Sequence, residues 1–265
     1  MIKKIAITLT LLTQLCFGAT PEQVEQYLSI SNSEEELLKL ESMFSSMQNG
    51  FKEDENSSEN KNYDMQLLTI RFRDYIQKNL SEDEMTEILE SYKNVTFLQY
   101  ISASSDAQNS DNNETTAYIA RLKGNTDAGI RIELIEKIGK KLYSKDSMGI
   151  LFDELMKPLM QNGIGGGKMS DDILKGAREN YLKTMLEASI DETLYITKDF
   201  TIEELEELLK IVQAPAIERE SKAIFGAMAY ALKEFFSSMV SRYDVSKHNP
   251  KETHSKHSHD HRHKR

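Results

Sequence analysis

All six histidines of this 265-residue chain fall between His248 and His263. His257, His259, His261 and His263 alternate with other residues, and His248 and His254 precede them. In an extended chain this spacing puts four imidazoles along one side, and a flexible chain can wrap them around one ion. Neutral imidazole suits Ni(II), Cu(II) and Zn(II), with copper first by raw affinity. Asp260 adds an oxygen donor. Lys256, Arg262, Lys264 and Arg265 disfavour imidazole protonation, which helps a metal compete with protons, although they also repel the cation. From Lys247 onward there are six Lys/Arg against two Asp/Glu, while residues 20–246 carry a net −16 by the same count. A second reading therefore stays open, a cationic arm that gains charge below about pH 6.5 and touches anionic surfaces or its own body. A passive tail is the third. Unbroken His runs mark engineered tags, and this pattern is not one.

Chemistry elsewhere is restricted by composition. Without histidine before residue 248, the body cannot build a Ser–His–Asp or Cys–His centre or a His-ligated metal site. The single cysteine is Cys16, inside a segment expected to be removed, so no disulfide, cysteine zinc site or thiol nucleophile is expected in the mature chain. A net charge of −10 argues against a general nucleic-acid binder. The run Asn162-Gly163-Ile164-Gly165-Gly166-Gly167-Lys168-Met169 fails as a phosphate loop, which needs Gly at 162 and Ser or Thr at 169. Clustered acids such as Glu34 to Glu36 and Glu203 to Glu207 sit where helix starts want them, so they read as caps and solvated faces rather than an acid–base pair. Twelve methionines read as core packing, with an adaptable partner groove as the alternative. Asp54-Glu55-Asn56-Ser57-Ser58 and Asp111-Asn112-Asn113-Glu114-Thr115 are Asn-x-Ser/Thr sequons with an acid two residues before the Asn, which makes Asn56 and Asn113 candidate glycosylation sites in exposed linkers.

The N-terminus has the parts of an export signal. Lys3 and Lys4 precede an apolar run from Ile5 to Leu15, and Gly18-Ala19 supplies small residues for cleavage. Cleavage is expected after Ala19, despite Phe17 three residues before that bond. The run is short for a membrane anchor, and Thr13-Gln14-Leu15 does not match a lipoprotein box ahead of Cys16. No later stretch approaches the ~20 apolar residues of a spanning helix. The expected destination is the periplasm, with secretion as the alternative, and folding must then rest on packing alone.

The rest reads as helices. Thr20-Pro21-Glu22-Gln23, Ser33-Glu34-Glu35-Glu36, Ser81-Glu82-Asp83-Glu84 and Thr201-Ile202-Glu203-Glu204 have the form of N-terminal capping boxes. Met85, Ile88, Leu89 and Tyr92 follow at helical spacing, as do Leu205, Leu208, Leu209 and Val212. Ile224, Met228, Leu232, Phe235, Phe236, Met239 and Tyr243 form one stripe of a last long helix. Leu194 to Thr197 has strand-like composition but no strand to pair with.

The two halves resemble each other. Tyr75-Ile76-Gln77-Lys78-Asn79-Leu80-Ser81 is answered, 120 residues on, by Tyr195-Ile196-Thr197-Lys198-Asp199-Phe200-Thr201, and Glu84, Glu87 and Leu89 recur as Glu204, Glu207 and Leu209. Met47-Gln48-Asn49-Gly50 recurs as Met160-Gln161-Asn162-Gly163, 113 residues on. Internal duplication accounts for both matches in one order; the competing account is that similarly capped amphipathic helices look alike. Polar linkers are expected at 52–62 and 102–116.

Phe200-Thr201-Ile202-Glu203-Glu204-Leu205, then Leu208-Leu209, then Ala214-Pro215 resembles the C-terminal helical module of exported bacterial proteins catalogued as domain of unknown function 2059. The likeness covers about 194–240, with a weaker internal copy near 72–104. Members commonly have an aromatic residue and Ser-Pro-Gly where this chain has Gln213-Ala214-Pro215-Ala216, and the first unit lacks the Pro. The resemblance implies a periplasmic helical protein and brings no catalytic residues.

The expectation is an all-α chain: signal peptide 1–19, antiparallel helical unit 20–104, polar linker 105–113, related unit 114–243, and a disordered tail 244–265. Its expected role is that of a non-enzymatic binding or accessory protein whose tail takes up Ni, Zn or Cu. The alternative is a scaffold or envelope assembly factor that binds an unknown protein partner and uses the tail as a charged arm.

Overall fold

A computed structural model gives the fold of residues 18–33, 35, 37, 65–107, 110–162 and 169–242. These residues are all-α; their one extended pairing is an isolated antiparallel bridge between Gly18 and Ser81. Helix α1 (Pro21–Ser31) opens with the Thr20–Gln23 capping box and closes at Asn32, whose φ of 55° is a left-handed conformation that Asn tolerates better than most residues. Helix α2 (Met65–Asn79) leads through Leu80 to α3 (Glu82–Ser91), started by the Ser81–Glu84 box. At α4 (Val95–Ala107) the Asn94 side-chain oxygen accepts from the backbone N–H of Thr96 and of Phe97. Asp111 caps α5 (Asn112–Lys123), and a 3₁₀ turn leads into α6 (Gly129–Leu142). Helix α7 (Lys145–Leu151) runs through a π-helical turn, Phe152–Met156, into α8 (Lys157–Asn162). Ser170 caps α9 (Asp171–Ile196), the Thr201–Glu204 box starts α10 (Ile202–Val212), and α11 (Pro215–Arg242) ends the described chain.

One sequence expectation holds and one changes. Leu194, Tyr195 and Ile196 form the last turn of α9 and not a strand; Thr193 and Thr197 satisfy their hydroxyls on the carbonyls of Ser189 and Thr193, a helical pattern open to β-branched hydroxyl residues. The polar stretch 102–116 is helical up to Ala107 and again from Asn112, because Asp111 supplies the cap for a new helix. The linkers around residues 52–62 and 163–167 lie outside the described residues.

The packing is reciprocal. Helices α2, α3 and α4 correspond to α9, α10 and α11 at the offset of 120. Helix α11 lies on α2 and α3, while α4 lies on α9 and α10. The third helix of each set is thus seated on the first two of the other. Buried positions recur in step: Ile76 and Ile196, Leu80 and Phe200, Met85 and Leu205, Ile88 and Leu208, Tyr92 and Val212, Phe97 and Ile217. Polar contacts cross in the same sense. Glu87 on α3 pairs with Arg219 on α11, and its counterpart Glu207 on α10 accepts from Asn94 and Thr96 at the start of α4.

One apolar cluster runs through both sets and includes Phe72, Ile76, Met85, Phe97, Leu205 and Leu232. Helix α11 can sit deep in it because its inner face is built of Ala223, Gly226, Ala227 and Ala231. At Gly226 a Cβ would come within 2.4 Å of the Tyr75 hydroxyl oxygen, so glycine is what lets α2 and α11 approach. A satellite cluster around Met148, Leu182 and Phe225 fixes α7 and α9. Beside it, Arg178 lies across the bare face of Gly149 to reach Asp153 in the π-helical turn, at 3.0 Å.

Reciprocal packing predicts that the connection between the halves is dispensable once the core has formed. A protease site inserted between Ala107 and Ser110, cut after purification, should leave two chains that co-elute on gel filtration. Two separately eluting folded fragments would contradict the arrangement.

Candidate functional site

The residues singled out by their chemistry are unevenly placed. His248, His254, His257, His259, His261 and His263 lie outside the described residues, as does Asn56. Asn113 is exposed in the first turn of α5, its backbone N–H donating to Asp111 Oδ1 at 2.8 Å. That sequon is accessible but wound into a helix, which differs from the open linker expected there. Glu204 is the capping-box acid of α10, and Glu203, Glu206 and Glu207 are exposed. Among the described residues no three His, Cys, Asp or Glu side chains are grouped to hold a metal ion, and no helix is long and apolar enough to cross a membrane.

The polar group that the structure does assemble has no local signature in the sequence. Glu220, on α11, is 4% exposed. Its carboxylate accepts from the Tyr27 hydroxyl of α1 at 2.9 Å and from the Tyr92 hydroxyl, which follows α3. Tyr27 is also hydrogen-bonded to Ser33 at 3.1 Å, and Ser33 to Ser31 at 2.7 Å. The two tyrosine rings meet edge to face at 5.9 Å, and Tyr92 packs on Phe97. Burial first, and then the neighbouring Glu220 charge, holds the Tyr27 hydroxyl well above its ordinary value of 10.0. A buried carboxylate needs such donors, because taking it from water without them costs several kcal/mol. All of Tyr27, Tyr92, Ser31, Ser33 and Glu220 are buried, so the cluster works as a tie between α1, α3 and α11 and offers no open face to a substrate. One signal in the sequence points to it: Glu220 stands 120 residues after Tyr100, itself a core residue at 5% exposed.

The surface carries a shallow pocket of about 270 Å³ lined by Ser91, Asn94, Glu207, Lys210, Ile211 and Ala214. It straddles the reciprocal contact, since Ser91 pairs with Ile211 and Asn94 with Ala214 at the offset of 120. Within it Glu207 is held below the ordinary carboxylate value by hydrogen bonds from Asn94 first and Thr96 second. On α4 beside it, Val95 and Leu98 are exposed. The turn between α9 and α10 is braced from outside. The Arg131 guanidinium donates to the carbonyls of Thr197 (3.0 Å) and Phe200, where helix-end carbonyls favour a cation, and the Lys198 ammonium stands over the Tyr195 ring at 4.3 Å. Tyr181, in the satellite cluster, buries a hydroxyl with no hydrogen-bond partner among the described residues and is pushed up to about 12 by that burial.

The described residues therefore define an all-α protein with a tyrosine-bound carboxylate in its core and a shallow surface pocket where its halves meet. No family model, curated protein or solved structure matches the chain.

Two outcomes follow. Tyr27→Phe removes one donor from a buried carboxylate and should lower unfolding free energy by roughly 1–3 kcal/mol, read by urea denaturation; an unchanged midpoint would show that the hydrogen bond contributes nothing. Glu84, in the α3 capping box, is held below the ordinary value of 4.5 chiefly by the Ser81 backbone N–H, then by the Ser81 hydroxyl and Arg219. Its folded value is depressed, so its contribution is complete above 4.5 and is lost as pH falls through the folded value. Glu84→Gln should flatten the stability profile below that point, and an unchanged acid slope would contradict the role.

Proposed function

We propose that this chain is an exported, non-enzymatic helical binding or accessory protein whose His-rich tail binds or buffers a divalent transition metal. One observation carries the reading. Six histidines are concentrated between His248 and His263, four of them alternating, while the preceding chain has none. Imidazole is the commonest protein ligand for such ions, and concentrating every imidazole in one polar segment separates metal uptake from the folding of the body. The leader-like residues 1–19 support a periplasmic destination, with secretion as the alternative. The resemblance to domain of unknown function 2059 in 194–240 agrees with an exported helical protein. Reciprocal packing of two similarly capped helix sets supports internal duplication as the origin of the body.

A second reading draws on the surface pocket at Glu207 and Lys210 and on the exposed Val95 and Leu98. There the body is a scaffold for another protein, and the tail is a cationic arm whose charge rises on acidification.

Calorimetric titration of Zn(II), Ni(II) and Cu(II) at neutral pH separates the two. The mature protein should bind at least one ion at micromolar affinity or tighter, and a version ending at Ser246 should lose that binding. Equal weak heats from both would reject metal handling and favour the scaffold reading.

A further inference from the structure

The start of the folded chain carries information about how it is made. Ala19 is 2% exposed, and its backbone nitrogen donates to the carbonyl of Leu80 at 2.7 Å. The next residue, Thr20, is committed to the capping box: its N–H donates to Gln23 Oε1 at 2.9 Å and its hydroxyl accepts from the Gln23 N–H. Gln23 in turn donates to the carbonyl of Glu82 and to the Thr86 hydroxyl. Ala19 therefore closes the joint between the start of α1, the end of α2 and the start of α3. Removing it would vacate a buried methyl site and leave the Leu80 carbonyl without that donor.

We infer that export processing cuts the Gly18–Ala19 bond, so that Ala19 is the first residue of the mature chain. This rests on the export reading above and moves the expected cut one residue upstream. Two independent features agree on it. The residues three before and one before the bond are then Cys16 and Gly18, both small, as a signal peptidase requires, whereas a cut after Ala19 would place Phe17 at the outer of those positions. The packing also retains Ala19 and gives its nitrogen an acceptor, while the cut gives up the Gly18–Ser81 bridge. Hydrolysis adds water across the amide, leaving a carboxylate on Gly18 and an ammonium on Ala19. That ammonium keeps the Leu80 carbonyl, just past the last residue of α2, as its acceptor. A cut after Ala19 would put the new ammonium on Thr20, inside the capping box, and would take the Ala19 donor away from the Leu80 carbonyl. Processing at the membrane precedes folding, so burial of the bond in the folded chain is no obstacle.

The test expresses the full chain with its own leader in a Gram-negative host and reads the periplasmic product by intact mass and N-terminal sequencing. A product beginning at Ala19 supports the inference. One beginning at Thr20 overturns it while leaving export intact. An unprocessed chain confined to the cytosol defeats the export reading, and this inference with it. Two variants, read by pulse labelling so that folding does not matter, give an independent answer. Gly18→Leu should block processing and Ala19→Leu should not; the reverse pattern would place the cut after Ala19. As a structural check, a chain purified from Thr20 should melt roughly 2–4 °C below one purified from Ala19, and equal melting temperatures would show that Ala19 has no part in the joint.

Discussion

Helix α11 has to lie against α2, α3 and α7 for these helices to bury their apolar faces. That requirement governs the composition of α11. Part of its inner surface is alanine and glycine, and at Gly226 the Tyr75 ring of α2 fills the space that the missing side chain leaves. Close packing of this kind tolerates little change in volume. The same seating carries Glu220 into the core, where Tyr27 and Tyr92 must meet it. Arg219, one residue earlier, points outward to Glu84 and Glu87 on α3. Two successive residues of one helix thus hold α3, one through a buried hydroxyl at its end and one through charge pairs along it.

The body and the tail divide the chemistry between them. The body holds its carboxylates in caps, in surface pairs and in one buried cluster, and the described acids pair with nearby Lys or Arg in many places. Such exposed pairs contribute little stability each; their value lies in dispersing a strongly acidic surface. All the imidazole is in the last residues of the chain. On the proposed reading, a metal-binding segment at this place in the sequence can vary in length and histidine number without changing the residues of the helices before it.

Much of this architecture could be read from residue order, and the reasons are local. Capping boxes at Thr20, Ser81 and Thr201 form as their Ser/Thr-x-x-Gln/Glu patterns indicate, because both partners lie within one turn. Apolar positions such as Met85, Ile88, Leu205 and Leu208 are buried where the helical period puts them. What could not be read depends on distant partners. Glu220 looks like one more solvated acid beside Glu218 until α1 and α3 supply hydroxyls. The linker composition at 102–107 concealed a helix whose length is set by its packing on α9 and α10. Reciprocal seating itself has no local signature, although the matching halves made a paired arrangement reasonable.

The order in which these helices are made adds a constraint on biogenesis. Helix α2 is synthesised about 150 residues before α11, the element it packs on most extensively. Contacts of such sequence separation slow folding, because loop closure must be met before they form. The N-terminal helices therefore emerge from the ribosome without the surface that completes them, and the core closes only after almost the whole chain has been released. A polypeptide built this way stays unfolded through most of its own synthesis, the condition in which a chain can still be threaded through a narrow translocation channel.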